Sequence, residues 1–219
     1  MQKGTGIMKS YFLGDCDDDR DFDDSVEPVG SGLLDIPSLV EEEKERMKKM
    51  EAAKKNDPRP SWHNYFLKIA HDVAERSNCC RRKVGAVIVK DNHIVSTGYN
   101  GTPYHTTNCF DGGCPRCSGE HKTGEKLDEC LCVHAEQNAI CQAARLGNAI
   151  DGSYIYITCS PCLTCLKLLI NSGIQRIIFS ELYRPYNKQE KDLILQSGIF
   201  LLTPDENGTL RAPVEPLIC

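Results

Sequence analysis

Behind Ser61, a residue able to cap a helix, apolar positions Tyr65, Phe66, Ile69, Ala70 and Val73 recur at helical spacing. Val84 to Val89 is a continuous apolar run of strand type, Asp91-Asn92 is a turn, and Ile94 to Tyr99 returns, which predicts a hairpin. A polar, cysteine-rich insert follows over residues 100–131. Beyond it, Ala135 to Leu146 reads as a helix stopped by Gly147 and Tyr154 to Thr158 as a strand. Cys162 to Asn171 reads as a helix stopped by Gly173, and Arg176 to Phe179 as a strand. Lys188 to Gln196 reads as a helix stopped by Gly198, with a last short strand at Ile199 to Leu202. Strands alternating with helices predict an α/β layered fold with a mixed, partly parallel sheet of five strands.

The first 58 residues follow other rules. Residues 1–36 are poor in apolar groups and hold an acidic run from Asp15 to Asp24, broken by Cys16, Arg20 and Phe22. Such a segment buries too little surface to offset its ordering entropy, so a disordered tail is expected. Ser38 to Glu41 fits a capping box, and a helix is expected from there to about Lys55. Its pairs Glu42/Arg46, Glu45/Lys49 and Glu51/Lys55 place the acid first at i,i+4. Asn56-Asp-Pro-Arg-Pro60 ends it as a linker. The expected division is an extension over 1–58 and a folded domain over 59–219.

Charge sharpens that boundary. Of the net charge of −5, residues 1–60 carry all of it, with 15 Asp/Glu against 10 Lys/Arg, while residues 61–219 hold 16 of each. A neutral domain argues against a protein held on nucleic acid by electrostatics. No run of about 18 apolar residues is present, so no membrane span is expected. Lacking an apolar leader stretch, the chain is expected to be cytoplasmic. Thirteen cysteines in that compartment point to metal binding before disulfides.

Two pieces carry chemistry: His134-Ala-Glu136 and Pro161-Cys162-Leu-Thr-Cys165, each opening a predicted helix. Cysteines at i and i+3 share a helical face and reach one ion, and a helix N-terminus favours the thiolate that zinc needs. Pro161 suits a first turn. His134 supplies a third ligand, leaving the fourth tetrahedral position for water, the catalytic pattern of zinc. A carboxylate at Glu136 can take the proton of that activated water and return it to a leaving amine. A lone Cys-x-x-Cys or His-x-Glu is a weak signal; the two in this order, separated by helix and strand, match the zinc nucleobase-deaminase signature.

The stretch from Ser61 to about Tyr183 resembles the deoxycytidylate (dCMP) deaminases of the cytidine/deoxycytidylate deaminase superfamily. The matching pieces are Arg81 to Lys90 (RRKVGAVIVK), Thr97 to Pro103 (TGYNGTP), Cys132 to Ile140 (CVHAEQNAI) and Ser160 to Cys165 (SPCLTC). The resemblance implies a three-layer α/β/α sandwich and hydrolysis of dCMP to dUMP and ammonia, with Glu136 protonating the ring nitrogen and then the departing amine. It also implies a homo-oligomer, often a hexamer, activated by dCTP and inhibited by dTTP. Tyr99, Asn100 and Gly101 fall in a motif linked to nucleotide contacts, substrate or allosteric, or simply in a turn at the hairpin exit. Asn100 is the residue expected to bond the sugar or ring, the Ser160 carbonyl to accept from the exocyclic amine, and Tyr183 to stack on the base or sit in the core or rim. Arg82, within the run Arg81-Arg-Lys83, is expected either to anchor one phosphate or to lie in a solvated junction. Other cytosine substrates (dCTP, cytidine, tRNA) stay open. So does a silent, zinc-stabilised nucleotide-binding subunit, against which the intact Glu136 counts.

The insert adds a second metal question. Cys109, Cys114, Cys117 and one of Cys130 or Cys132 can form a closed structural zinc site, replacing the apolar core that the insert lacks. His105 and His121 are alternative ligands. Cys79, Cys80, Cys141 and Cys159 read as small buried hydrophobes. Cofactors are thus one catalytic zinc ion and a second, structural one.

Overall fold

The computed structural model describes residues 58–122, 125–126 and 129–212. The acidic tail, the helix from 38 to 55, Cys16 and Cys219 lie outside the described residues.

Helix α1 spans Trp62–Ala74, and the Ser61 hydroxyl accepts from Asn64 N at 3.2 Å, as its capping position requires. Strands β1 (Gly85–Lys90) and β2 (His93–Tyr99) form the hairpin. Helix α2 (Ala135–Leu146) leads to β3 (Tyr154–Cys159), α3 (Leu163–Asn171) to β4 (Arg176–Glu181), and α4 (Lys188–Ser197) to β5 (Phe200–Pro204). The sheet has the order β2-β1-β3-β4-β5-β6, parallel across β3, β4 and β5 and antiparallel elsewhere. Its sixth strand, β6 (Leu210–Arg211), corrects the expected five. At two residues it is too short for a periodic pattern. It forms because Asp205 accepts from Asn207 N and Thr209 N and turns the chain back onto β5.

Strand alternation sorts the core into two layers. Ala86, Ile88, Ile155, Ile157, Ile177 and Phe179 pack with α2, α3 and α4 on one face. Val87, Val89, Tyr156 and Ile178 pack with Phe66, Leu67 and Ala70 of α1 on the other. β1 is buried on both faces, which explains its unbroken apolar run. Each such fully buried side chain contributes about 1.5–3 kcal/mol. The result is the α/β/α sandwich.

Two features of the fold aim the site. Gly98 of β2 lies so close to α2 that a Cβ there would meet Ala135 O at 2.1 Å and Ala139 N at 2.4 Å. Only glycine lets the helix seat this deeply. The segment between β4 and α4 is pinned by Glu190, wholly buried, which takes a bidentate pair from Arg184 (2.6 and 2.8 Å) and the backbone N–H of Asn187 at 2.9 Å.

The Arg184 guanidinium holds the Glu190 carboxyl below the usual carboxylate range. A carboxylate so depressed adds stability above its unfolded value, and that stability is lost as pH falls through the folded one. Glu190→Gln is therefore expected to cost about 1–3 kcal/mol at neutral pH, discounted for the half-exposed arginine. The gap from the parent chain should narrow as pH falls below about 4.5. Urea unfolding across pH 3–7 measures both.

Candidate metal and active site

Two helix N-termini converge beyond the carboxyl end of β3. His134 caps α2, its backbone N–H donating to Gln137 Oε1 at 2.9 Å, and Cys162 caps α3 with Cys165 in the first turn. Pro161 thereby lies one residue outside the helix, a correction to its expected first-turn place: the helix opens at Leu163. His134 Nδ1 stands 3.5 Å from Cys162 Sγ and 3.3 Å from Cys165 Sγ, and all three donor atoms lie within 4.8 Å of one another. A tetrahedral zinc ion with metal–nitrogen and metal–sulfur bonds of about 2.0 and 2.3 Å separates such donors by about 3.5 Å, so the donor set fits it.

Hydrogen bonding from Cys165, and then from His134, lowers the Cys162 thiol to about 4, while the buried Cys165 thiol is raised and the His134 ring is raised by Cys162. Glu136 is buried, and burial pushes its carboxyl up to about 7. That is the range in which a carboxyl group both gives and takes a proton near neutrality.

A cavity of about 420 Å³ opens onto His134, Glu136 and Cys162. Asn100, Ser160, Arg82 and Tyr183 line it, as does Arg116. Cys165 lies beneath, fully buried. Arg82 covers the Tyr183 ring at 4.5 Å and reaches Cys159 Sγ at 3.3 Å, which leaves further N–H donors for a ligand. Its neighbours are spent elsewhere. Arg81 donates to the carbonyls of Cys117 (2.7 Å), Gly119 and His121 (3.0 Å), and Lys83 pairs with Glu75 on the surface at 2.7 Å.

Asn100 serves the scaffold as well as the cavity. Its Oδ1 accepts from Val84 N (2.8 Å) and the Ser77 hydroxyl (2.7 Å), and its Nδ2 donates to Arg82 O at 2.6 Å, leaving one N–H. Tyr99 and Gly101 do not line the cavity. Tyr99 alternates outward on β2, and Gly101 is buried where its N–H and carbonyl bridge to Val133. That bridge ties the hairpin exit to the residue before His134. Arg116 was not singled out in sequence, although a basic residue between Cys114 and Cys117 is a visible signal.

Among the described residues, the cysteines of the insert gather more fully than four ligands require. Cys79, Cys109, Cys117 and Cys132 form one tetrad and Cys114, Cys117, Cys130 and Cys132 another. Cys79 is thus no simple core residue, and Cys80 and Cys141 are exposed. Cys159 is buried. His105 and His121 join no donor cluster.

The model of the cytidine and deoxycytidylate deaminase zinc-binding region matches residues 60–181. The deoxycytidylate deaminase of Schizosaccharomyces pombe is 40% identical over 168 residues, 75% of this chain and 51% of that protein. That of Saccharomyces cerevisiae is 47% identical over 127 residues, 58% of this chain and 39% of that protein. The chain therefore spans about half, or less, of the length of these relatives. The dCMP deaminase of the cyanophage S-TIM5, solved in complex with dCMP and dUMP, superposes with a TM-score of 0.53 at 32% identity, covering 67% of this chain and 99% of its own. No helix among the described residues is long and apolar enough to cross a membrane.

Asn100→Ala removes both acceptor bonds and the donor bond, leaving Val84 N–H unpaired in a partly buried site. A loss of about 2–4 kcal/mol is expected, read as a lower urea midpoint with an unchanged slope.

Proposed function

The chain belongs to the cytidine and deoxycytidylate deaminase zinc-binding family, and from that premise we propose that residues 59–219 hydrolyse dCMP to dUMP and ammonia. The observation that carries the reading is the meeting of His134 Nδ1 with the sulfurs of Cys162 and Cys165 at 3.5 and 3.3 Å beside the buried Glu136 carboxyl group, with His134, Glu136 and Cys162 open to one cavity. His134, Cys162 and Cys165 would hold the zinc ion, which supplies a Lewis acid that makes water nucleophilic near neutral pH.

The remaining work belongs to the protein's own groups. Glu136 accepts the proton of the attacking water and passes it to ring nitrogen N3, then takes the proton of the hydroxyl group formed at C4 and delivers it to the departing amine. Its burial keeps competing water from the carboxyl oxygens. The Ser160 carbonyl faces the exocyclic amine as acceptor, and the free N–H of Asn100 faces the sugar or ring. Tyr183, held on one side by Arg82, offers its remaining surface to the base. Arg82 and Arg116 make the wall cationic, which suits a 5′-phosphate monoester. The cavity has the volume of a mononucleotide site. The neutral charge of residues 61–219 favours a free nucleotide over tRNA. Homo-oligomer formation, activation by dCTP and inhibition by dTTP belong to the same proposal.

Incubation with dCMP is expected to shift the ultraviolet spectrum toward dUMP and release ammonia, with dCTP, cytidine and tRNA as weaker substrates. Glu136→Ala is expected to lower kcat at least ~10²–10⁴-fold while zinc content by elemental analysis stays unchanged. Full activity in that variant would remove Glu136 from the reaction.

A further inference from the structure

The two cysteine tetrads share an edge. Cys117 and Cys132 belong to both, Cys79 and Cys109 to one, and Cys114 and Cys130 to the other. We propose that this cluster binds two zinc ions as a binuclear six-thiolate centre, with Cys117 and Cys132 bridging them. This makes three ions per chain with the one at His134.

The ligand count is the first reason. Two closed tetrahedra need eight ligand positions, and sharing two sulfurs reduces the need to six, the number of cysteines that converge. A single ion in either tetrad would leave two cysteines beside it with nothing to bind. Spacing is the second. Sulfur separations are 3.9 Å for Cys79–Cys117, 3.9 Å for Cys117–Cys132, 3.6 Å for Cys117–Cys130 and 3.9 Å for Cys114–Cys130. Sulfurs about 2.3 Å from one zinc ion stand about 3.8 Å apart, whereas a disulfide requires about 2.05 Å. Every one of these cysteines is unpaired.

The folding of the insert is the third. Among its described residues the regular structure is one 3-10 turn at Cys109–Asp111 and one helical turn at Pro115–Ser118. Among the described residues its core consists of Cys109, Cys114, Cys117 and Cys132 with Cys79 and Cys130 packed on them, and holds no aliphatic or aromatic side chain. Sulfurs alone offer too little apolar area to order such a segment, and metal binding supplies the missing free energy. Charge agrees as well. Two dications and six thiolates leave a net −2, and the arginines at hand are Arg81, bonded to Cys117 O, and the buried Arg116. Leu131 N also donates to Cys114 Sγ at 3.3 Å. Cys80 approaches only Cys109, at 3.7 Å, and is exposed, so it stays outside the cluster.

The centre would form one wall of the cavity, since Cys79, Cys117, Cys130 and Cys132 line it. Two of its ligands are adjacent to site residues: Cys79 lies two positions before Arg81, and Cys132 two before His134.

Elemental analysis of the full chain purified with zinc is expected to give three ions per chain. The double variant Cys162→Ser/Cys165→Ser is expected to keep two, which tests the cluster apart from the deaminase reading. In the cadmium-113-loaded parent chain, two tetrathiolate resonances should split each other through the shared sulfurs. A total of one or two ions in the parent chain, or two cluster resonances without mutual splitting, overturns the binuclear centre.

Discussion

Everything at this site follows from the meeting of two helix N-termini at the carboxyl end of β3. One presents an imidazole from its capping residue, the other a thiolate cap and a buried thiol one turn inside. Backbone N–H groups and helix dipoles make that point favourable to negative charge, and the same convergence brings Cys165 and His134 to Cys162, whose hydrogen bonds lower its thiol. The convergence depends on close packing. Gly98 lets α2 lie against β2 at backbone contact, and the pairing of Gly101 with Val133 fixes the approach to His134.

Glu136 completes the arrangement because it is buried. In water its carboxyl would stay ionised, whereas in this wall it sits near neutrality beside the donor triad. The family assignment and the geometry support each other here: the matched region, residues 60–181, contains every group of the triad and the carboxyl. The insert occupies the facing wall. Among its described residues the larger apolar side chains, Tyr104, Phe110 and Leu131, are exposed, and its buried cluster consists of cysteines, of which Cys117, Cys130 and Cys132 line the cavity.

The elements were legible wherever burial imposes a period. The stripe of α1, the two-sided run of β1 and the glycine stops at Gly147 and Gly198, both at positive φ, are local consequences of the fold. β6 was not legible, since two residues carry no period. His134, Glu136, Cys162 and Cys165 could be named as a group because metal chemistry restricts residue type and spacing within each short motif.

Sequence alone therefore determined the alternation of strands and helices, the deaminase motifs and their ligand types, all of which depend on neighbours close along the chain. Tertiary structure decided what depends on groups far apart in it. It turned Tyr99 outward and committed most of the Asn100 amide to the scaffold. It spent Arg81 on insert carbonyls while leaving Arg82 over Tyr183. It also brought Cys79 across thirty-eight positions to Cys117. Distances between remote side chains are set by packing, and no linear spacing encodes them.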